Sequence, residues 1–277
     1  MKIIRQVKDL RQYLDDYSNV SCVPTMGNIH AGHLSLVDLA KKNSDVVVTT
    51  IFVNRLQFNQ AGDFVDYPRT PEEDFKKLEN VNNDIVFCPE ETDIYPHEQQ
   101  YFIDPPKIAK KLEGRFRPDH FRGVCTVVMK LFNIVQPQVA VFGKKDYQQL
   151  AIIKGLVKDL ALPIRILSGE TVRAESGLAL SSRNVRLNQS ELKEAPRLRS
   201  AMKVIYDAIR SGDRNFVAME YAAGELLARH GWKVDYVVVR TQVGLLRPTE
   251  KDENFVILGA ASLGKTRLID DLEVSSP

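Results

Sequence analysis

The chain has 277 residues, of which 44% are hydrophobic and 27% are charged, close to the averages for soluble globular proteins. This length predicts one large or two modest domains, and the composition excludes collagens, coiled coils and low-complexity chains. Thirty-eight Lys and Arg against 36 Asp and Glu leave a formal net charge of +2, which indicates neither a nucleic-acid nor a membrane partner. Any anionic ligand must therefore be held by a local cluster of donors.

The three cysteines, Cys22, Cys88 and Cys125, lie far apart and form no C-x-x-C pair, so the sequence predicts neither a disulfide framework nor a zinc site. The first residues carry a charge every few positions, unlike a signal peptide, and no apolar run approaches 18 residues. We expect a cytoplasmic protein without a dedicated metal site.

Short β-branched or aromatic runs predict buried strands at 20–24, 46–53, 84–88, 138–142 and 163–167. Between them, apolar residues at three- and four-residue spacing predict helices at 33–43, 71–80, 123–135 and 146–160. This alternation predicts an α/β fold with a parallel sheet and right-handed crossovers. A ligand site is expected at the carboxyl ends of the strands, where the strand order reverses.

The pattern changes after about residue 183. Two long helical stretches at 189–210 and 215–230 precede predicted strands at 234–240, 255–261 and 266–272. They predict a second, smaller α+β domain over residues 184–277, with the polar segment 173–188 as the linker.

Residues 259–266 match the G-x-x-x-x-G-K-[ST] pattern of a P-loop. A P-loop needs a long helix after the Thr, yet only eleven residues follow Thr266 and they resemble a strand. The sequence favours a hairpin turn with a surface lysine over an ATPase site.

The first predicted strand ends in a loop that carries His30 and His33 around Gly32, and an apolar helix follows at once. Such a junction offers backbone N–H groups and the positive end of a helix dipole, both suited to phosphate, and glycines such as Gly27 let the main chain approach a ligand. The alternatives are a surface loop that happens to hold two histidines, or half of a metal site.

The H-x-G-H motif resembles that of the nucleotidylyl transferases and class I aminoacyl-tRNA synthetases. The longer string PTMGNIHAGHLSLV resembles the pantothenate synthetases, which are AMP-forming pantoate–β-alanine ligases. Further blocks similar to this family occur in order along nearly the whole chain: IFVNRLQF at 51–58, DYPRT at 66–70, HFRGVCTVVMKLFNIVQP at 120–137, VFGKKDYQQL at 141–150 and GLALSSRN at 177–184.

This resemblance implies a Rossmann-like catalytic domain over residues 1–183 and a C-terminal lid. It implies an enzyme that joins (R)-pantoate to ATP, releasing pyrophosphate, and lets β-alanine attack the pantoyl adenylate so that AMP leaves. It also implies Mg²⁺ as the counter-ion of ATP and a homodimer. Two other hypotheses stay open: a nucleotidylyl transferase that forms a dinucleotide, and a nucleotide sensor whose catalytic loop has decayed.

The resemblance also assigns residues. The implied catalytic set is His30, His33, Lys145, Ser181, Ser182 and Arg183. The implied ATP contacts are Met26, Gly27, His30, Gly32, His33, Gly143, Lys144, Lys145, Asp146, Val172, Leu180, Ser181, Ser182 and Arg183, with Val172 reaching adenine through its backbone. The implied pantoate and β-alanine contacts are Gln57, Gln149, Asn54 and Tyr67. Of these, Lys144 is expected to be solvated, and Asp146 to cap the following helix.

Two positions depart from the family pattern. Arg55 replaces a usual proline, so the loop before Gln57 is expected to be less rigid or differently placed. Ser176 replaces a usual acid before Gly177, which puts the anchoring of the 173–183 loop in question.

Overall fold

The computed structural model describes residues 1–59 and 61–277. These residues form two compact units, Met1–Gly143 with Ile152–Gly169, and Lys144–Ala151 with Glu170–Pro277. Residues 144–151 and 170–183 thus belong to the second compact unit. The division into a catalytic domain of residues 1–183 and a lid stays a prediction.

The first unit contains the parallel sheet that the sequence predicts. Its described strands are β1 (Lys2–Ile4), β2 (Val20–Thr25), β3 (Val46–Ile51), β4 (Ile85–Phe87), β5 (Val139–Gly143) and β6 (Arg165–Gly169), in the order β1-β4-β3-β2-β5-β6. Every paired neighbour is parallel, which confirms the α/β fold class. The edge strand β1 is not among the predicted strands, because its three residues are too few to show a hydrophobic periodicity.

Helices connect these strands. They are α1 (Val7–Leu14), α2 (Ala31–Lys41), α3 (Ala61–Val65), α4 (Pro71–Asn80), α5 (Glu91–Ile94), α6 (Glu113–Phe116), α7 (His120–Val135) and α8 (Tyr147–Asp159), with one-turn 3-10 helices at Arg55–Gln57, Lys107–Lys110 and Lys144–Asp146. A further 3-10 helix, Asn184–Arg186, follows β6 in the second unit. No helix in the described ranges is both long and apolar enough to cross a membrane.

Helices cover both faces of the sheet. On one face, Leu36 and Val37 of α2 pack with Val23, Val47 and Val141 in a buried cluster. On the other face, the rings of Phe132 in α7 and Phe142 in β5 meet edge to face, with centroids 6.4 Å apart. Because helices cover both faces, residues that point to either face are buried, and the strands β2, β3 and β5 are buried almost throughout.

The strand order reverses at β2. The chain adds β3 on one side of β2 and later adds β5 on the other. The register of β2 with β5 covers only Ser21↔Val139 and Cys22↔Ala140, so both strands continue beyond these paired residues, to Thr25 and Gly143. Open α/β sheets bind ligands at such a reversal, outside the carboxyl ends of the strands.

The second unit has α9 (Gln189–Glu194), α10 (Arg197–Arg210) and α11 (Phe216–Arg229), followed by β7 (Lys233–Thr241), β8 (Asn254–Leu263) and β9 (Thr266–Ser275). The predicted single helix at 189–210 is wrong in one respect. Pro196 separates α9 from α10, because it has no N–H to continue the helical hydrogen bonds. The three strands form an antiparallel sheet, β7-β8-β9, whose apolar face packs on α10 and α11.

The P-loop match at 259–266 is a β-hairpin, as the sequence favours. Gly259 lies within β8 opposite Asp270, and Leu263 pairs with Thr266 across a two-residue turn at Gly264 and Lys265. A Cβ at Gly259 would lie 2.9 Å from side-chain atoms of Leu198 and Met202, so this glycine serves helix packing.

Candidate active site

The loop between β2 and α2 begins with an unusual backbone. Gly27 has φ +80° and Asn28 has φ 49°, in the left-handed region. A Cβ at Gly27 would lie 3.0 Å from Asp74 Oδ2 and 3.1 Å from Ile51 Cγ2. Both backbone conformation and space therefore require glycine here.

A buried carboxylate holds this loop. Asp74 of α4 is 1% exposed, and its Oδ2 and Oδ1 accept the amides of Asn28 and Ile29 at 2.8 and 2.7 Å. The Thr70 hydroxyl donates to Oδ1 at 3.2 Å, and Lys77 Nζ donates to the Ile29 carbonyl at 2.9 Å. Asp74 is not among the site residues that the sequence predicts. The sequence feature that could have identified it is the position of an acid four residues before Leu78, on the buried face of the helix.

The two histidines of the motif form a pair at the N-terminus of α2. His30 is the N-cap, and its Nδ1 accepts the Gly32 amide at 3.1 Å, while Nδ1 of His33 accepts the His30 amide at 3.4 Å. The ring centroids lie 4.1 Å apart. An imidazole that accepts through Nδ1 carries its proton on Nε2, so both rings have Nε2–H donors.

Gly32 is needed for this pairing, because a Cβ there would lie 2.8 Å from Cε1 of His30.

The expectation that the backbone amides of this loop are available to a phosphate is largely wrong. The amides of Gly27, Asn28, Ile29, His30, Gly32 and His33 all donate within the protein. The loop's own capping and Asp74 take these donors, so an anion would meet the Nε2–H groups and the dipole of α2.

Asn54 and Gln57 form a buried amide pair in the same unit. Asn54 Nδ2 donates to Gln57 Oε1 at 3.0 Å and to the Gly123 carbonyl at 3.2 Å, and Asn54 Oδ1 accepts the Tyr95 hydroxyl at 2.8 Å. Gln57 Nε2 lies 3.2 Å from Sδ of Met26, which links the amide pair to the loop after β2.

The start of α7 positions Gln57. A Cβ at Gly123 would lie 2.2 Å from the Leu56 carbonyl oxygen, so glycine is needed for this close approach. His120 is 6% exposed, and its Nδ1 donates to the Gln57 carbonyl at 2.8 Å while Nε2 lies 3.2 Å from Nη1 of Arg117. His120 is not among the predicted site residues, although it begins one of the family blocks.

Tyr67 packs against an aromatic side chain of the same unit. Its ring meets Phe58 edge to face with centroids 5.7 Å apart, and its carbonyl accepts Nη1 of Arg69 at 3.0 Å.

Arg55 occupies a backbone position that suits proline. It begins the 3-10 turn Arg55–Gln57, and the preceding Asn54 is extended, with φ −83° and ψ 108°. Arg55 Nε donates to Glu91 at 2.8 Å in an exposed ion pair, which raises the Arg55 pKa. The turn thus keeps proline-compatible geometry without proline.

In the second unit, Lys145 is half-buried and Asp146 is exposed immediately before α8, while Gln149 lies in the first turn of that helix. The expectation that Lys144 is solvated is wrong. Its side chain is 16% exposed, and Nζ contacts Glu170 at 2.6 Å and Glu273 at 2.7 Å. Burial lowers its pKa, but the hydrogen bonds to both carboxylates outweigh this effect, so the pKa lies above its ordinary value.

Residues 172–184 form a folded-back loop. The Leu180 amide donates to the Val172 carbonyl at 3.0 Å, and the Arg183 amide donates to Ser181 Oγ at 3.2 Å. Leu180 and Ser181 are half-buried, as are Ser182 and Arg183.

This loop is anchored without an acid at position 176. Arg173 forms a two-pronged ion pair with Asp270 at 2.7 and 2.8 Å, and Thr171 donates to Asp271. Ser176 is exposed in the turn before Gly177, whose φ is +89°. Arg173 therefore supplies the anchoring that the departure at Ser176 put in question.

The structure groups the candidate residues by unit. The first unit brings together Met26, Gly27, His30, Gly32, His33, Asn54 and Gln57, and it also contains Tyr67 and Gly143. The second unit contains Lys144, Lys145, Asp146, Gln149, Val172, Leu180, Ser181, Ser182 and Arg183. Within the described part of the chain, no group of three or more His, Cys, Asp or Glu side chains is arranged to hold a metal ion.

Comparisons with known proteins extend over the whole chain. A family model described as pantoate-beta-alanine ligase matches residues 2–273. A pantothenate synthetase of Nitrosospira multiformis is 50% identical over 275 residues, covering 99% of each chain, and one of Nitrosomonas europaea is 51% identical over 277 residues, covering 100% of each.

Solved structures agree with these relatives. Pantothenate synthetase from Thermus thermophilus gives a TM-score of 0.95 at 37% identity, covering 100% of each chain. Pantoate-beta-alanine ligase from Francisella tularensis, complexed with beta-gamma ATP and beta-alanine, gives a TM-score of 0.83 at 33% identity, covering 98% of this chain and 97% of that one.

Proposed function

Because the chain belongs to the pantoate–β-alanine ligase family, we propose that it condenses (R)-pantoate with β-alanine at the expense of ATP, through a pantoyl adenylate. The observation that carries the proposal is the His30–His33 pair. Two imidazoles with centroids 4.1 Å apart present Nε2–H donors at the N-terminus of α2, beside the point where the strand order reverses. The Francisella tularensis relative, complexed with beta-gamma ATP and beta-alanine, supports ATP and β-alanine as ligands.

The reaction needs placement and charge stabilisation rather than an enzyme nucleophile. The pantoate carboxylate attacks the α-phosphorus of ATP, and negative charge grows on the transferring and leaving phosphates. Preorganised Nε2–H donors and the positive end of α2 stabilise that charge without reorganising. The β-alanine amine then attacks the acyl carbon, and AMP leaves.

Gly143 supports a nucleotide at the carboxyl end of β5. Its φ is not positive, and a Cβ would meet only Leu36 Cδ1 at 3.9 Å among the described residues, which is ordinary contact. Packing does not require glycine there, and the absence of a side chain leaves room for a ligand to approach the main chain.

The proposed phosphate contacts also include cationic and hydroxyl groups of the second unit. Lys145, two residues beyond β5, donates to phosphate oxygens, and Ser181, Ser182 and Arg183 hold the leaving pyrophosphate through charge-assisted hydrogen bonds. Lys144 is already paired with two carboxylates, so we assign it no phosphate contact.

Gln57 orients pantoate. Asn54 donates to its side-chain amide oxygen, and His120 holds its main-chain carbonyl. A neutral amide can hold a hydroxyl or carboxylate without a tight ion pair that would weaken the carboxylate as a nucleophile. We propose the same role for Gln149, with Tyr67 as part of the surrounding wall.

Mg²⁺ is proposed to arrive with the phosphates of ATP, since the described residues offer no cluster to hold it alone. We also propose a cytoplasmic location and a homodimer, and light scattering of the purified protein tests the dimer.

The decisive experiment is exchange of labelled pyrophosphate into ATP. Exchange that requires pantoate but not β-alanine supports the adenylate, and no pantoate-dependent exchange would exclude it. Lys145→Ala should lower the exchange rate by about 100-fold or more, whereas Lys154→Ala, an exposed lysine of α8, should leave it unchanged. Detection of a dinucleotide product would favour a nucleotidylyl transferase.

A further inference from the structure

One carboxylate of the last strand contacts both sides of the Lys145 segment. Glu273 Oε2 lies 2.7 Å from Nζ of Lys144, and Glu273 Oε1 accepts the hydroxyl of Tyr147 at 2.7 Å. Lys144 and Tyr147 flank Lys145 and Asp146 in the sequence. The two oxygens of a single side chain therefore clamp the turn that presents Lys145.

Glu273 is supported by a regular part of β9. Leu268, Leu272 and Val274 pack into the apolar cluster beneath α10 and α11, so alternation places Glu273 on the opposite face of the sheet. Glu273 pairs with Val256 of the central strand β8. Because β9 is paired and packed in this way, the backbone that carries the Glu273 carboxylate is held in place.

The contacts are shielded from water. The side chains of Lys144 and Glu273 are 16% and 31% exposed, and Tyr147 is buried. Burial and then the hydrogen bond to Glu273 raise the Tyr147 pKa, so its hydroxyl keeps its proton and donates. Glu170, the other partner of Lys144, is 80% exposed and contributes less, since exposed ion pairs are weak.

We propose that Glu273 is a positioning residue, which holds the Lys144–Tyr147 turn on β9 and so fixes Lys145 for charge stabilisation. The catalytic part of this inference rests on the proposed function, because it requires Lys145 to act on the nucleotide. The anchoring part depends only on the contacts of Glu273.

The test compares Glu273→Gln and Tyr147→Phe with Glu253→Gln, a matched change of an exposed glutamate outside the clamp. A small displacement of a catalytic group is costly, so Glu273→Gln should lower kcat by about 10- to 100-fold while KM for pantoate changes little. Tyr147→Phe should lower kcat by less. An unchanged kcat in Glu273→Gln would overturn the positioning role.

Combining Glu273→Gln with Lys145→Ala separates positioning from general damage. If Glu273 acts through Lys145, the double variant should be no slower than Lys145→Ala alone. Independent, multiplying losses would contradict the proposal.

Hydrogen exchange tests the anchoring without any assay of turnover. Glu273→Gln should exchange faster in a peptide covering 143–150, and Glu253→Gln should not. Unchanged protection would overturn the clamp even if the reaction is as proposed. Loss of pantoate-dependent exchange in the unmodified protein would instead refute the proposed function, while faster hydrogen exchange would still support the clamp.

Discussion

The two units hold their candidate site segments by different chemistry. In the first unit, Asp74 binds the main chain of the histidine loop through the amides of Asn28 and Ile29. In the second, ion pairs attach Lys144 and Arg173 to acids of β9. Asp74 accepts two main-chain amides and so determines the path of the loop, whereas the anchors of the second unit depend on the charge of a side chain. The following changes test this difference.

Replacing Asp74 should have the largest effect. Asp74→Asn keeps one acceptor oxygen but turns an NH₂ donor toward an amide donor, and Asp74→Ala leaves both amides unpaired. The Ile29 amide is buried and the Asn28 amide partly buried, and a buried unpaired amide costs about 1–3 kcal/mol, so Asp74→Ala should lower the free energy of unfolding by about 2–4 kcal/mol. Turnover should fall by about 100-fold because the histidines are displaced. Urea unfolding and pyrophosphate exchange measure both effects.

Glu72→Gln, an exposed change in the same helix turn, is the matched control and should behave like the unmodified protein. If Asp74→Asn kept normal turnover, the main-chain anchor would be dispensable and the contrast between the units would disappear.

Arg173→Ala should cause the second-largest loss. It leaves Asp270, whose side chain is 4% exposed, without its guanidinium partner. Breaking a buried pair costs about 3–5 kcal/mol, and the low end, about 3 kcal/mol, is expected because the Asp271 amide still donates to Asp270. Arg173→Lys keeps the charge but cannot form both parallel hydrogen bonds to Asp270, so its loss should be smaller than that of Arg173→Ala but still measurable. Equal losses in the two variants, measured by urea unfolding, would show that charge alone does not anchor this loop.

Asp271 should make the second unit sensitive to pH. Burial raises its pKa from 3.8 to about 6, against the Thr171 hydrogen bond, and Asp270, Arg173 and Glu273 act on it as neighbouring charges. Since the folded state favours the protonated acid, this stabilisation is complete below about pH 4 and is lost as the pH rises through 6.

Asp271→Asn should therefore raise the free energy of unfolding at pH 7.5 by about 2 kcal/mol relative to its effect at pH 4.5. Urea unfolding across this range measures the change. An identical effect at both pH values would mean that the burial of Asp271 does not shift its titration.

Arg55→Pro should have the smallest effect. Proline fits a turn that already follows an extended Asn54, which stabilises by about 0.4–1 kcal/mol. The exposed pair with Glu91 that is lost contributes about 0–1 kcal/mol. The net change should stay within about 1 kcal/mol, with turnover within about twofold. A large loss of turnover would show that Gln57 depends on the Arg55 side chain.

The sequence alone determined the broad outcome. Apolar runs alternating with helical periods predicted the parallel sheet, and the ordered blocks around His30, Lys145 and Ser181 identified the family; the fold and the family are both confirmed. These signals are local, since each depends on residues close together in the chain. The roles assigned to individual site residues stay predictions.

Only the tertiary structure decided which charges and amides are already satisfied. Lys144 resembled a solvated lysine because its partner Glu273 lies 129 residues away in sequence, and the loop amides resembled free donors because Asp74 comes from another helix. Periodicity carries no information about such pairings, which depend on how the chain folds back on itself. Burial makes these pairings important for stability, because a polar group removed from water must find its partner within the protein.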